Sequence, residues 1–100
     1  MKTYKEVIEL IGNREFAVDL DDGNKLTASC WTDDPEVLGW PAAFDVSASW
    51  GDGSIGNYDN LKGELDIPLM RLADEIEKAI PGLSLVYNAL NGQLEQARDA

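Results

Sequence analysis

The fold is decided by residues 14–31, which read Arg14-Glu-Phe-Ala-Val-Asp-Leu20, Asp21-Asp22-Gly23 and Asn24-Lys-Leu-Thr-Ala-Ser-Cys-Trp31. Apolar residues alternate with polar or small ones on both sides of the turn, which is typical of half-buried strands. A three-residue loop with Gly23 in the left-handed conformation sets these opposite pairs: Leu20 and Asn24, Val18 and Leu26, Phe16 and Ala28. A two-residue loop at Asp22-Gly23 would shift the register by one residue and expose a whole apolar face. The sequence therefore predicts the three-residue loop.

Residues 3–13 carry two competing patterns. Thr3 and Glu6 are spaced as a capping box, and the apolar residues that follow fall on one helical face. Gly12-Asn13, however, is typical of a type II′ hairpin turn, which would pair a strand at about 4–11 with the next strand. We favour the strand because a helix this short is marginal without packing.

The second half of the chain predicts one firm helix between less certain strands. We expect strands at 43–50 and 62–67, joined by a loop over 51–60. The helix at about 67–80 has an apolar stripe: Leu69, Leu72, Ala73, Ile76 and Ile80. Asp74 and Lys78 are expected to pair on its wet side, and Pro81-Gly82 ends it. Residues 83–88 fit a strand or the start of a second helix. We favour the strand, followed by a helical or frayed tail from Gln93.

The run from Val7 to Ala28 resembles the first three strands of the small bacterial translation initiation factor and its OB-fold relatives. Phe44-Asp-Val-Ser-Ala48 and the run from Tyr58 to Ile67 resemble the last two strands of that family. The resemblance implies a five-stranded barrel. We therefore expect an α+β fold, either an antiparallel β-meander or an OB-like, partly open barrel. Its strands are expected at about 4–11, 14–20, 25–31, 43–50, 62–67 and 83–88, with one amphipathic helix at about 67–80.

Length and charge limit the possible functions. A chain of 100 residues is expected to form a single domain, 1–100. It has no membrane-spanning run and no signal-peptide core, and its single cysteine is consistent with a cytoplasmic location. Nineteen acids against eight bases give a net charge of −11, and residues 15–61 contain ten acids and one base, Lys25. OB folds bind nucleic acid through a basic groove, so this charge counts against direct nucleic-acid binding.

The sequence offers little for catalysis or for cofactors. It contains no histidine, the commonest general base near neutral pH. Cys30 falls on the inward face of its strand and is expected to pack in the core. Gly51-Asp-Gly-Ser-Ile-Gly56 matches a dinucleotide-binding pattern, but no helix start follows it, so a glycine-rich hairpin or loop is the better interpretation. The acids around Gly23 do not have the spacing of a calcium loop. We expect a protein that is not an enzyme and has no cofactor or metal.

The acids in the middle of the chain give the functional hypothesis. Small, acidic, cysteine-poor chains of this length resemble phage-encoded anti-CRISPR proteins and DNA mimics. That resemblance implies binding to a basic, nucleic-acid-binding host complex such as a CRISPR effector. Core packing is the default expectation for the three tryptophans, but Trp40 is the best candidate for an exposed anchor. The predicted partner-binding residues are Asp33, Asp34, Glu36, Trp40, Asp45, Asp52 and Asp59. An RNA- or ribosome-binding module and a phage structural or assembly protein are the alternatives.

Overall fold

The first β-hairpin is the one that the sequence predicts. The computed structural model describes residues 1–20, 23–56 and 67–97. Strand β1 (Glu15–Asp19) pairs antiparallel with β2 (Lys25–Ser29). Phe16 lies opposite Ala28 and Val18 opposite Leu26, which confirms the predicted register. The Leu20 amide donates to the Asn24 carbonyl at 2.8 Å, and Gly23 has φ of 76°. Glycine adopts this left-handed conformation without a steric penalty.

The third strand extends the hairpin into a meander. Strand β3 (Ala43–Ser49) pairs antiparallel with β2 and agrees closely with the predicted strand at 43–50. A tight glycine-rich turn then leads to β4 (Ile55–Gly56), a two-residue strand that pairs back on β3. The glycine-rich hairpin is therefore confirmed. The two residues of β4 fall in a segment that we expected to be loop throughout.

The predicted strand at 4–11 is wrong, because Tyr4–Ile11 forms helix α1. Thr3 accepts a hydrogen bond from the Glu6 amide, and the Glu6 carboxylate accepts one from the Thr3 amide, which completes the capping box. Tertiary contacts supply the stability that such a short helix lacks by itself. Val7 is fully buried, and the Tyr4 and Lys5 amides donate to the carbonyls of Trp40 and Leu38 at 3.0 and 2.9 Å.

Helix α2 (Ile67–Ala79) confirms the predicted helix. The predicted apolar stripe is buried in full: Leu69, Leu72, Ala73, Ile76 and Ile80. The expected pairing of Lys78 with Asp74 is wrong: the Lys78 Nζ lies 3.6 Å from a Glu75 carboxylate oxygen, one helical turn away. Of the strand predicted at 62–67, residues 62–66 lie outside the described residues, and Ile67 belongs to α2.

The C-terminal segment forms a second hairpin. Strand β5 (Leu85–Asn88) lies within the predicted strand at 83–88. The prediction of a helical or frayed tail is wrong, because Gln93–Gln96 forms β6. Strand β6 pairs antiparallel with both β3 and β5, and its Leu94 is 2% exposed. Residues 93–96 form a strand because β3 and β5 provide pairing partners on both sides and because Leu94 is buried in the core.

The α+β fold class is confirmed: an open, antiparallel sheet packs against two helices. The strand order is β1-β2-β3-β6-β5, with β4 paired to β3 beside this path. Helix α2 packs most closely against β1, β2 and β5, which include both edge strands, so the sheet curves around it like a partly open barrel. Phe16 and Phe44 meet edge to face in the core at a centroid distance of 6.2 Å. Val7 of α1 joins the same core.

Candidate functional site

The candidate site is the outer face of the sheet, defined as the face opposite the core and both helices. Alternation along each strand sends the apolar residues inward and the polar ones outward. The register aligns one row of outward residues across five strands: Glu15, Ser29, Asp45, Gln93 and Asn88. Within this row, the Gln93 amide nitrogen donates to an Asp45 carboxylate oxygen at 2.7 Å. The row is continuous across the sheet, so a partner could contact five strands at once.

The centre of the outer face is made of small side chains. Ala17, Thr27 and Ser47 lie opposite one another on β1, β2 and β3. The Thr27 and Ser47 hydroxyl oxygens are 3.0 Å apart and share a hydrogen bond. Small, mutually bonded side chains leave no large projecting group in this region. A slightly polar surface without a cavity suits contact with a macromolecule better than enclosure of a small ligand.

The charge of the outer face is predominantly negative. Among the described residues, the strand register places four acids and one base on it: Glu15, Asp19, Asp45, Glu95 and Lys25. Lys25 lies directly opposite Asp19, at the end of the sheet away from Asp45. The other end therefore carries Glu15, Asp45 and Glu95 with no base from these strands.

The connection between β2 and β3 adds the predicted acids Asp33, Asp34 and Glu36, all of which are exposed. The Asp34 carboxylate accepts a hydrogen bond from the Glu36 amide at 2.9 Å, which fixes a turn. Ser29, at the end of β2, lies opposite Asp45. The acidic connection thus begins at the same end of the sheet as Asp45, and we call these four acids the acidic end.

Two tryptophans flank the acidic end. Trp31 lies two residues after β2 and is 54% exposed, and Trp40 precedes β3 and is 60% exposed. Trp50, at the opposite end of β3, is 40% exposed. The default expectation of core packing is therefore wrong for all three, because both helices cover the inner face and these rings lie outside it. Trp40 is exposed, as the sequence analysis anticipated. Its carbonyl anchors the α1 amide of Tyr4, so the surrounding backbone is held in place.

The remaining two predicted site residues do not join this group. Asp52 lies in the turn after β3, at the opposite end of the sheet, roughly 20 Å from Asp45 along the strand. Its carboxylate accepts hydrogen bonds from the Ser54 hydroxyl at 2.6 Å and the Ser54 amide at 2.9 Å. Both bonds favour the ionised form and hold the pKa of Asp52 below its usual value. Asp59 lies outside the described residues.

Sequence reasoning missed three of the outer-face acids. Glu15 and Asp19 alternate with the buried Phe16 and Val18, so the period of two already placed both carboxylates on the outer face. Glu95 could not be found in this way, because the tail was expected to be helical or frayed. The Glu95 carboxylate accepts hydrogen bonds from the Asn88 and Asn91 side-chain amides at 3.1 and 2.9 Å.

Other chemical groups of the described residues give no sign of a reactive centre. Cys30 is 4% exposed, and burial, followed by the charge of Asp45, raises the pKa of its thiol to about 12. Burial also raises the pKa of the nearby Tyr4 hydroxyl. No three histidine, cysteine, aspartate or glutamate side chains within residues 1–20, 23–56 and 67–97 are grouped to hold a metal ion. Neither helix in this part of the chain has the length and apolar content needed to cross a membrane.

A groove of about 390 Å³ runs beside β1, between this strand and α2. Its lining mixes both charges and is drawn from the two elements: Ala17, Val18, Asp19, Arg71, Asp74, Glu75 and Lys78.

Comparison of the chain with protein-family models, with curated proteins and with solved structures gave no match.

Proposed function

We propose that this protein is a non-enzymatic inhibitor that binds the basic, nucleic-acid-binding surface of a host protein complex. Its acidic end and outer face occupy positions that nucleic-acid phosphates would otherwise fill, and a CRISPR effector is the example that we put first. The inhibitor acts in the cytoplasm of the host cell. It binds protein and not nucleic acid, because its carboxylates repel phosphates.

The observation that carries this proposal is the concentration of exposed carboxylates at one end of the sheet. Asp45 on β3 and Asp33, Asp34 and Glu36 in the adjoining connection lie at one end of the sheet, all exposed. Lysine and arginine side chains bind carboxylates through the same charge-assisted hydrogen bonds that they make with phosphates. An excess of one charge also steers the encounter with a partner of opposite charge.

The exposed tryptophans supply a second contribution. Carboxylates on a surface speed association more than they strengthen the final complex. Aromatic side chains at an interface contribute a large share of its binding energy once water is excluded. Trp40, 60% exposed beside the acidic connection, is suited to this role. We therefore expect the acids to set the choice of partner and Trp40 to slow dissociation.

Displacement of nucleic acid from a purified complex tests the proposal. A guide-loaded CRISPR effector is bound to fluorescently labelled target DNA, and the protein is added while fluorescence anisotropy is recorded. The protein should displace the DNA, and the triple variant Asp33→Asn, Asp34→Asn, Asp45→Asn should require at least about tenfold more protein. The variant Glu9→Gln, Asp52→Asn, Glu77→Gln carries the same change in charge at positions outside both the acidic end and the lining of the groove beside β1. This control should displace the DNA as well as the wild type does.

Two results would count against the proposal. Equal loss of displacement in both triple variants would make net charge, and not the acidic end, the cause. Tight binding of the isolated protein to single-stranded RNA, weakening steeply as salt rises, would instead favour the RNA-binding alternative. The same labelled RNA should show no binding if the proposal is right.

A further inference from the structure

Strand β1 lies at the edge of the described sheet, and no described residue pairs with its outward hydrogen-bonding groups. The Leu20 amide donates to the Asn24 carbonyl, so Leu20, Val18 and Phe16 direct their backbone groups toward β2. The alternate residues Glu15, Ala17 and Asp19 therefore direct their N–H and C=O groups away from the sheet. Among residues 1–20, 23–56 and 67–97, no strand pairs with β1 on that side. Such an edge is a template for an additional strand.

The opposite edge of the sheet is protected. Strand β5 lies there, and its Leu85 amide donates to a carboxylate oxygen of Glu77 on α2 at 2.9 Å. A side chain of the helix thus occupies an edge position that a new strand would need. No side chain of the described residues makes a comparable bond to the amides of Glu15, Ala17 or Asp19. Of these two edges of the described sheet, β1 is therefore the one that offers a continuous row of donors and acceptors.

The groove beside β1 provides space for such a strand. It measures about 390 Å³ and has Val18 of β1 on one side and Arg71 and Lys78 of α2 on the other. A strand added to β1 would run about 4.8 Å from it, and its alternate side chains would point into this groove. Both elements of a strand-addition site, a free edge and a flanking groove, are present together.

The charges on β1 select the kind of strand that it can accept. A second copy of this chain, paired antiparallel about Ala17, would set Glu15 against Asp19 of that copy and Asp19 against its Glu15. Like charges directly opposite on neighbouring strands are destabilising. A strand with lysine or arginine at two positions four residues apart would instead place a base opposite each carboxylate. The edge therefore resists self-association and favours a basic segment.

We propose that β1 binds an extended, basic segment of the partner protein by antiparallel strand addition. The segment carries lysine or arginine opposite Glu15 and Asp19, a small residue opposite Ala17, and side chains between them that enter the groove. This inference rests on the proposed function in taking the partner to be a basic protein. It adds a docking site that is separate from the acidic end.

A synthetic peptide tests the edge directly. The probe is a capped nine-residue peptide with lysine at its third and seventh positions, alanine at its fifth, and threonine or valine elsewhere. It is titrated into the 15N-labelled protein, with amide chemical shifts and hydrogen exchange as readouts. The amides of Glu15, Ala17 and Asp19 should shift and become protected from exchange. A matched peptide with glutamate in place of lysine should bind at least about tenfold more weakly, because like charges then face each other.

Two substitutions at one position separate strand addition from simple charge attraction. Ala17→Pro removes an edge N–H that has no partner among the described residues, and edge strands tolerate proline at such positions. It should weaken binding of the lysine peptide at least tenfold. Ala17→Thr keeps the N–H and should bind within twofold of the wild type. Circular dichroism verifies that both variants fold. If Ala17→Pro does not fold, Glu15→Lys with Asp19→Lys decides the question, because this variant should prefer the glutamate peptide.

Shifts confined to the acidic end, or unchanged peptide binding by a folded Ala17→Pro variant, would overturn the inference. The two proposals can also fail separately. Displacement of DNA that survives Ala17→Pro would overturn strand addition by the partner and leave the proposed function standing. Peptide addition at β1 by a protein that displaces no nucleic acid would overturn the proposed function and leave the docking site standing.

Discussion

Cys30 shows how burial of a single residue changes its chemistry. Burial, followed by the negative charge of Asp45, raises the pKa of its thiol from 9.0 to about 12. The thiolate is the reactive form of cysteine. Because of the raised pKa, the fraction of Cys30 that is thiolate at pH 7 is about a thousandfold lower in the folded protein than in the unfolded chain. Iodoacetamide should therefore alkylate Cys30 far more slowly in the folded protein than in denaturant, as measured by mass spectrometry over time. Equal rates in the two conditions would contradict the buried position.

The same pKa shift makes a prediction about pH. In the unfolded chain the thiol ionises near pH 9, whereas in the folded protein it ionises only near pH 12. The contribution of this group to stability is therefore complete below about pH 9 and is lost as the pH rises toward 12. Urea denaturation of the wild type and of Cys30→Ala, each measured from about pH 9 to about pH 12, tests this. The wild type should lose stability relative to the variant as the pH rises, because the variant has no thiol to ionise.

At the scale of residues, the sequence predicts which face of a strand a side chain lies on better than it predicts whether that side chain is exposed. The alternation in β1 and β2 predicts the buried Phe16 and Val18 and the opposing Leu26 and Ala28, and the structure has all four in the core. The exposure of Trp31 could not be predicted in the same way. A period of two assigns it to the outer face, but whether another element covers that face depends on where both helices pack.

At the scale of elements, the N-terminal helix shows local signals in conflict. Thr3 and Glu6 predicted a cap, and Gly12-Asn13 predicted a hairpin turn. The outcome depends on contacts from distant parts of the chain: the carbonyls of Leu38 and Trp40 accept the first helical amides. No local pattern encodes those two bonds. By contrast, α2 is longer and carries a complete apolar stripe, so the sequence alone predicts it correctly.

A prediction at the scale of elements concerns the contribution of strand β6 to stability. Leu94 is 2% exposed and lies between Phe44 and Tyr87 on the neighbouring strands, whereas Leu90 in the preceding turn is 98% exposed. Leu94→Ala should lower the free energy of unfolding by about 2–5 kcal/mol, because it leaves a cavity in the core. Leu90→Ala is the matched control and should change it by less than about 0.5 kcal/mol. Urea denaturation measures both.

A frayed tail would give a different result. If residues 93–96 did not pair with β3, both leucine variants would unfold at the same urea concentration as the wild type. The sequence of this segment contains only one large apolar residue in four, so its own pattern does not predict a strand. The segment forms a strand because it pairs with β3, where Phe44 and Asp45 lie opposite Leu94 and Gln93.

At the scale of the whole molecule, a chain of 100 residues carries a net charge of −11. Repulsion among like charges destabilises a compact state, and salt screens charges that lie more than about 10 Å apart at 0.1 M. Raising sodium chloride from about 0.02 to about 0.5 M at pH 7 should therefore raise the thermal midpoint, as followed by circular dichroism. Near the isoelectric point of 4.1 the same addition should have little effect. An unchanged midpoint at pH 7 would show that the acids are too dispersed to repel one another.

The interior position of β6 has a consequence for the order of assembly. This strand comes last in the described chain, yet it separates β3 from β5, and its Gln96 exchanges hydrogen bonds with the backbone of Lys2. During translation, the meander of β1, β2 and β3 emerges from the ribosome before residues 93–96, which pair with residues 43–45 of β3. Non-local pairing of this kind slows folding. Residues 43–45 of β3 therefore gain their β6 partners only once residues 93–96 have been synthesised.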